Sequence, residues 1–125
     1  MPELRMPRLN QITIAGTVAN DLDFRENGER GCILHGRLQV RLGAHRTSSG
    51  WKKILSFFNF TMKGRTAENA FDLLEKDSPV VLIGRLRSFS RDGDHIHRDV
   101  EILVSDFQLL SRSDSDDDED EDTYK

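Results

Sequence analysis

An all-β fold is the class this 125-residue sequence predicts: a small five-stranded barrel carrying one short helix between its third and fourth strands. Three observations predict it. Five stretches alternate apolar and polar residues with the period of two that a half-buried strand requires. Only one stretch repeats its apolar residues at helical spacing. Between them lie Gly-rich and polar segments that suit tight turns. The length fits one domain of about 100 residues, with some chain left over.

The first strand is "LNQITIAGTV", with Ile12 and Ile14 on one face. Gly16 inside it points to a bulge or a sharp bend, which a small barrel needs. "NDLDFRENGERG" reads as a polar turn region, with Asn27-Gly28 as a hairpin signal. "CILHGRLQVRLG" is the second strand. Leu34, Gly36, Leu38, Val40 and Leu42 face one way; His35, Arg37, Gln39 and Arg41 face the other. "GAHRTSSG" is a long hairpin tip.

"WKKILSFFNFTMKG" is the third strand. Its core face is Ile54, Ser56, Phe58, Phe60 and Met62. Trp51, Lys53, Leu55, Phe57, Asn59, Thr61 and Lys63 share the opposite face. "RTAENAFDLLEKDSP" is the helix, N-capped by Thr66, with Ala67, Ala70, Phe71 and Leu74 as its apolar stripe and Pro79 as its stop. "VVLIGRLRSFS" is the fourth strand, apolar at its start and basic-aromatic at its end on the side of Arg85, Arg87 and Phe89. Asp92-Gly93 turns the chain into "VEILVSDFQLL", the fifth strand, whose alternation breaks at Ser105-Asp106. The order β-β-β-α-β-β is the layout of an OB-fold barrel.

Charge divides the chain in two. The whole carries 22 acids and 18 bases, net −4. From Ser111 on there are eight acids and two bases, net −6, so residues 1–110 hold 14 acids and 16 bases, net +2. Residues 1–110 are therefore read as the barrel domain and 111–125 as a disordered acidic tail. The lone Cys32 has no disulfide or CxxC partner, which suits a reducing compartment. The N-terminus lacks the apolar stretch of a signal peptide, and no run has the ~18–20 apolar residues of a membrane span. The expected location is cytoplasmic.

Single-stranded nucleic acid needs cations along its backbone and flat faces for its bases. The outward faces supply both: Arg37 and Arg41 from the second strand, Trp51, Lys53, Phe57 and Lys63 from the third, Arg85, Arg87, Phe89 and Arg91 from the fourth. His45, Arg46 and Lys52 extend the track at the tip. Phe57 and Phe89 are the foremost stacking platforms, with Trp51 third. Outward cations on strands also serve simply as solvated faces that discourage edge pairing, and a one-residue slip would bury Phe57. Agreement of three strands in register favours binding. His95 and His97 share a strand face but have no third ligand by spacing, so no metal or other cofactor is expected. No catalytic Ser/His/Asp order, carboxylate pair or phosphate loop is present, so no enzyme is expected.

"LNQITIAGTV" resembles the opening strand of the bacterial and phage single-stranded DNA-binding proteins. "KGRTAENAFDLLEKDSPVVLIGRLRSF" resembles their most recognisable stretch, with Gly64, Arg65, Ala67, Glu68, Leu74, Lys76, Val80, Gly84 and Leu86 in place. "EILVSDFQLL" resembles their closing strand, so the resemblance spans about Leu9 to Leu110. It implies a protein that coats and protects single-stranded DNA, without sequence preference, in replication, recombination and repair. It implies a homotetramer or homodimer, in the bacterial nucleoid or, for a phage protein, the host cytoplasm. It gives the acidic tail a role in recruiting replication or repair proteins while competing weakly with DNA.

The chain departs from the family in four places. The tail ends "DTYK" rather than in a hydrophobic residue. Almost no linker separates barrel and tail. The usual stacking Trp falls at Phe57, with Trp51 six positions earlier. Lys63 stands where an aromatic is common. Fewer aromatics imply a larger electrostatic share and a steep salt dependence. The competing expectations are an OB-type protein-interaction or primosome-like accessory subunit, and an acidic-tailed chaperone or DNA mimic.

Overall fold

The computed structural model describes residues 3–26, 28–91 and 94–110, with backbone alone at 30, 91 and 94–97. The Asn27 half of the expected Asn-Gly hairpin, the Asp92-Gly93 turn and the tail from Ser111 lie outside the described residues. Among these the elements run β1 (Ile12–Val18), β2 (Asp23–Glu26), a 3-10 turn (Gly28–Arg30), β3 (Cys32–Thr47), β4 (Gly50–Lys63), α1 (Gly64–Leu73), β5 (Pro79–Arg91) and β6 (Asp94–Leu109).

The strands pair in the order β1-β5-β6-β4-β3-β2, and β1 also pairs with β3. That last pairing closes β1, β3, β4, β5 and β6 into a barrel and leaves β2 on its outside edge. The five barrel strands are the five the alternation predicts. β4 and β6 meet in parallel at Phe60–Ile102 and Thr61–Leu103; the other ladders are antiparallel. A parallel closure needs a crossover rather than a hairpin, and α1 lies within it. Leu34, Leu38, Phe60, Met62, Val80, Leu82, Ile102 and Val18 fill the interior, and Ala67, Ala70 and Leu74 cap one end.

Gly16 is explained by closeness. A side chain there would collide with the Gln39 carbonyl where β1 crosses from β5 to β3. The β1–β5 ladder runs through Gly16 without a bulge, so the expected bend appears as a change of partner. The expected break at Ser105-Asp106 is present. The ladder passes from Ile83–Asp106 to Gly84–Val104, skipping Ser105, whose hydroxyl donates to the Ile83 carbonyl at 3.1 Å.

Four expectations need correction. The polar stretch after β1 contains a strand, β2, whose Phe24 pairs with Leu34 and stacks on Phe71 with ring centroids 4.4 Å apart. Thr66 is not the N-cap. Gly64, at φ 63°, turns the chain straight from β4 into α1, so Lys63 holds the cap position without a side-chain cap and Thr66 lies in the first turn. Pro79 does not stop α1. Leu74 is already extended, Asp77 adopts φ 72°, and Pro79 opens β5.

The fourth correction concerns the core faces. Their parity is right, but burial stops early. Beyond Val40 and Phe60, β3 and β4 pair only with each other and leave the barrel as a two-stranded ribbon. Leu42, Ile54 and Phe58 on its inner side are exposed. The β5–β6 hairpin overruns in the same way and exposes Leu86 and Val100. At its root the Asn10 side chain completes the ladder. Its Oδ1 accepts from the Leu86 amide at 2.9 Å and its Nδ2 donates to the Leu86 carbonyl at 2.8 Å.

Candidate nucleic-acid interface

From Cys32 to Lys63 the chain holds six Lys or Arg and no acid. This stretch is β3 and β4, so the ribbon they form has no carboxylate of its own. Its pleat sets the outer face. Arg37 lies opposite Asn59, Gln39 opposite Phe57 and Arg41 opposite Leu55. The Arg37 guanidinium carbon sits 4.8 Å from the Phe57 ring centroid. That contact holds a cation and a flat ring together on one surface. Phe57 is 45% exposed, which leaves area for a base to stack. Arg41, Lys53 and Leu55 line a shallow hollow beside Gly16 and Thr17.

A register shift between Arg41 and Gly43 decides what happens at the tip. Past it, Lys53 pairs with Ala44, Lys52 with His45 and Trp51 with Arg46. Directly paired residues share a face, so Arg46 and Trp51 continue the face of Phe57 and Lys53, while His45 and Lys52 turn to the other side. Trp51 is 56% exposed. The ribbon thus gathers Arg37, Arg41, Trp51, Lys53 and Phe57 of the predicted set, and of the three residues expected to extend the track only Arg46 shares their face.

Arg87 and Phe89 lie elsewhere, at a barrel mouth between the roots of the two ribbons. They line one hollow with Asn20, His35, Asn59 and Glu101. Arg87 is not a bare cation. Its Nε donates to Glu101 Oε1 at 3.0 Å, and its Nη2 contacts the same oxygen. Glu101 is only 7% exposed, and its other oxygen accepts from the Thr61 hydroxyl at 2.8 Å. That hydroxyl has spent its one proton, so His35 Nδ1, 3.0 Å away, donates to it. The chain His35–Thr61–Glu101–Arg87 crosses β3, β4, β6 and β5 in their order around the barrel. It satisfies a carboxylate whose burial would otherwise be costly.

Sequence reasoning missed Glu101 and Thr61. Glu101 did leave a signal, as the one charge inside the apolar run "VEILV".

Lys63 and Arg85 form a third group. They line a hollow with Asn10, Thr66 and Ser105 near the start of α1. Arg91 lies on β5, with its side chain outside the described residues. The ten predicted residues therefore do not make a single track. Five lie on the ribbon, two at the mouth and two near the helix. The ribbon and the mouth meet at the Arg37–Asn59 pair.

Cys32 donates its thiol to Glu68 Oε1 at 3.3 Å. Its pKa is raised, by burial first, then by the Glu68 hydrogen bond and the charges of Glu68 and Glu26, so it stays a poor nucleophile. Among the described residues no three His, Cys, Asp or Glu side chains are grouped to hold a metal. The His95 and His97 side chains lie outside them.

The chain's shape is similar to that of several solved proteins. One is the small single-stranded DNA-binding protein of Streptomyces coelicolor, at 26% identity and TM-score 0.62, covering 80% of this chain and 93% of that one. Another is a single-stranded DNA-binding protein of Thermus aquaticus, at 27% identity and TM-score 0.65, covering 82% of this chain and 51% of that one. A third, Plasmodium falciparum SSB in complex with ssDNA, shares the fold at 17% identity and TM-score 0.70, covering 86% of this chain and all of that one. No protein-family model matches the sequence, and no curated protein matches it.

Proposed function

The chain belongs to the single-stranded DNA-binding protein family, and from that premise we propose that it coats single-stranded DNA without catalysing a reaction on it. The observation that carries the proposal is the acid-free ribbon with Phe57 held beneath Arg37. Phosphates follow Arg37, Arg41, Lys53 and Arg46. Bases turn onto Phe57 and Trp51. Each stacked base contributes roughly 1–3 kcal/mol whatever its identity, so most of the affinity is indifferent to sequence. Lys63, Arg85 and Arg91 serve a later part of the strand's path.

The finer reading follows the family. The protein acts in replication, recombination and repair, in the bacterial or phage-host cytoplasm. Its acidic tail engages replication or repair proteins and competes with DNA for the ribbon. It works as a homodimer or homotetramer, in which a second copy covers Leu42, Ile54 and Phe58. Among the described residues no helix is long and apolar enough to cross a membrane.

A second reading rests on those same exposed residues: the ribbon's inner face docks a different protein, and the chain is an accessory subunit. Fluorescence anisotropy with a labelled oligo-dT, at low and moderate salt, decides between them. The full chain is compared with one ending at Ser111. Binding to single strands far above duplex, tightened by truncation, supports the proposal. No binding at low salt overturns it in favour of the accessory subunit.

A further inference from the structure

We propose that the free end of the β3–β4 ribbon is a fork-binding element: it seats where a DNA duplex opens, with one parted strand on each face. The proposal deepens the single-strand reading above and rests on it.

Shape sets this element apart. From Arg41–Leu55 to Thr47–Gly50 the two strands run on as six successive pairs beyond the barrel. At the rise of a β-strand that is roughly 20 Å of ribbon. It ends in a two-residue turn, Ser48-Ser49. The Thr47 hydroxyl donates to the Gly50 carbonyl at 2.7 Å and lies 3.3 Å from the Ser49 hydroxyl, which ties the turn closed. The end is therefore narrow and formed before any ligand arrives.

Charge is the second observation. The outer face carries Arg41, Lys53 and Arg46, with Trp51 as its outermost ring. At the same level the reverse face carries His45 and Lys52, both exposed. No acid occurs in either strand, so neither face repels a phosphate chain. A strand lying on the outer face makes no use of Lys52 or His45. They also lie farther out than Ile54 and Phe58, so a second copy seated on that apolar patch leaves them open.

A fork uses both faces at once. A strand pair with side chains on each side is a plate about 10 Å thick, the spacing of packed sheets. The strands of an opening duplex can part around such a plate, since the major groove of the closed helix is already about 12 Å wide. One strand then follows Arg46, Lys53 and Arg41 toward Phe57. Its complement leaves over Lys52, which holds a phosphate, and His45 offers a ring N–H to that same phosphate. Trp51, 56% exposed, stacks on the last base to leave the pair. The chain is thereby placed where single strand begins.

The test is a competition titration of the full chain with four DNAs that share one duplex: blunt, carrying either single dT arm, or forked with both. At 0.1 M salt the fork should bind about tenfold tighter than the better one-armed duplex, about twofold from having two arms and about fivefold from the Lys52 phosphate contact. Lys52→Ala should reduce that advantage to about twofold and leave oligo-dT affinity unchanged. A wild-type advantage no larger than the two arms supply, an advantage that survives Lys52→Ala, or a blunt duplex that competes as well as the fork overturns the proposal.

NMR separates this proposal from the one it rests on. The His45 ring signals should shift with the fork and stay still with oligo-dT. If oligo-dT does not bind, yet the fork does and Lys52→Ala removes its advantage, the coating function falls and fork binding stands. If oligo-dT binds and moves His45 as the fork does, a lone strand already uses the reverse face. Fork binding then falls while coating stands.

Discussion

The ribbon and the mouth carry the same kinds of residue, and the proposed phosphate path runs over only one of them. On the ribbon, Arg37 rests on an exposed aromatic ring, and no acid occurs in either strand. At the mouth, Arg87 is held by a buried carboxylate that Thr61 also engages. An arginine beside an aromatic is therefore not one kind of signal. Its effect depends on whether the fold supplies a counter-charge, and that is set by the register of neighbouring strands. The ribbon's cations should matter for binding and little for stability. Arg87 should show the reverse.

The largest expected effect tests the second half of that contrast. Arg87→Ala leaves the buried Glu101 carboxylate without its counter-charge and with one hydrogen bond, from Thr61. Breaking a buried pair costs about 3–5 kcal/mol, and Arg87 is itself partly exposed, so about 3 kcal/mol is expected. Urea unfolding measures it. Glu101→Gln with Arg87→Ala should recover part of the loss, because the buried charge is gone. If Arg87→Ala leaves the urea midpoint unchanged but removes DNA binding, the two regions are alike after all.

Next in size is Phe57→Ala. Removing an exposed ring should leave stability within about 0.5 kcal/mol. It should lower single-strand affinity by about 2 kcal/mol, or roughly 30-fold, the middle of the range for one stacked base. Anisotropy and urea unfolding of the same variant give both numbers. A large loss of stability would mean that Phe57 serves the fold.

Much of this was legible in the sequence, and the rest was hidden for physical reasons. The five barrel strands and the Ser105 break could be read because a pleated strand imposes period two on its side chains. The strand around Phe24 was hidden because its neighbours are Asp23, Arg25 and Glu26, which look like a turn until Leu34 pairs with Phe24. The exposure of Ile54 and Phe58 was hidden because alternation shows which side a residue faces and not whether anything covers that side. Arg87 and Glu101 lie fourteen positions apart and stand opposite each other only once β5 and β6 are in register. The division of the ten-residue set has the same cause: Lys63 and Arg85 follow the predicted faces to another part of the surface, near the start of α1.

A smaller effect tests the electrostatic half of the contrast. Arg37→Ala combined with Lys53→Ala removes two cations from the ribbon. Each phosphate contact on a single strand contributes about 0.7 to the slope of log K against log salt. The pair should flatten that slope by about 1.4 and weaken binding by about 20-fold at 0.1 M salt. Arg87→Ala, measured where it remains folded, should leave the slope nearly unchanged. Equal changes in the two variants would show that Glu101 does not quench Arg87.

The smallest effect is the most local. Arg46 and Lys52 sit on the ribbon tip, each one step from the pair that turns the other way. The register shift at Gly43 puts Arg46 on the Phe57 face with Trp51, and Lys52 on the reverse with His45. Without that shift Arg46 and His45 would exchange faces, since a one-residue slip swaps the faces of a strand, while Lys52 keeps its side by the unbroken alternation of β4. Arg46→Ala should flatten the salt slope by about 0.7 and cost about fivefold in affinity at 0.1 M salt. Lys52→Ala should do neither. The two variants carry the same change in net charge, so a difference between them comes from position alone. If Lys52→Ala is the damaging one, the strand runs along the ribbon's inner side, past Ile54 and Phe58, and the contrast with the mouth must be redrawn around that face.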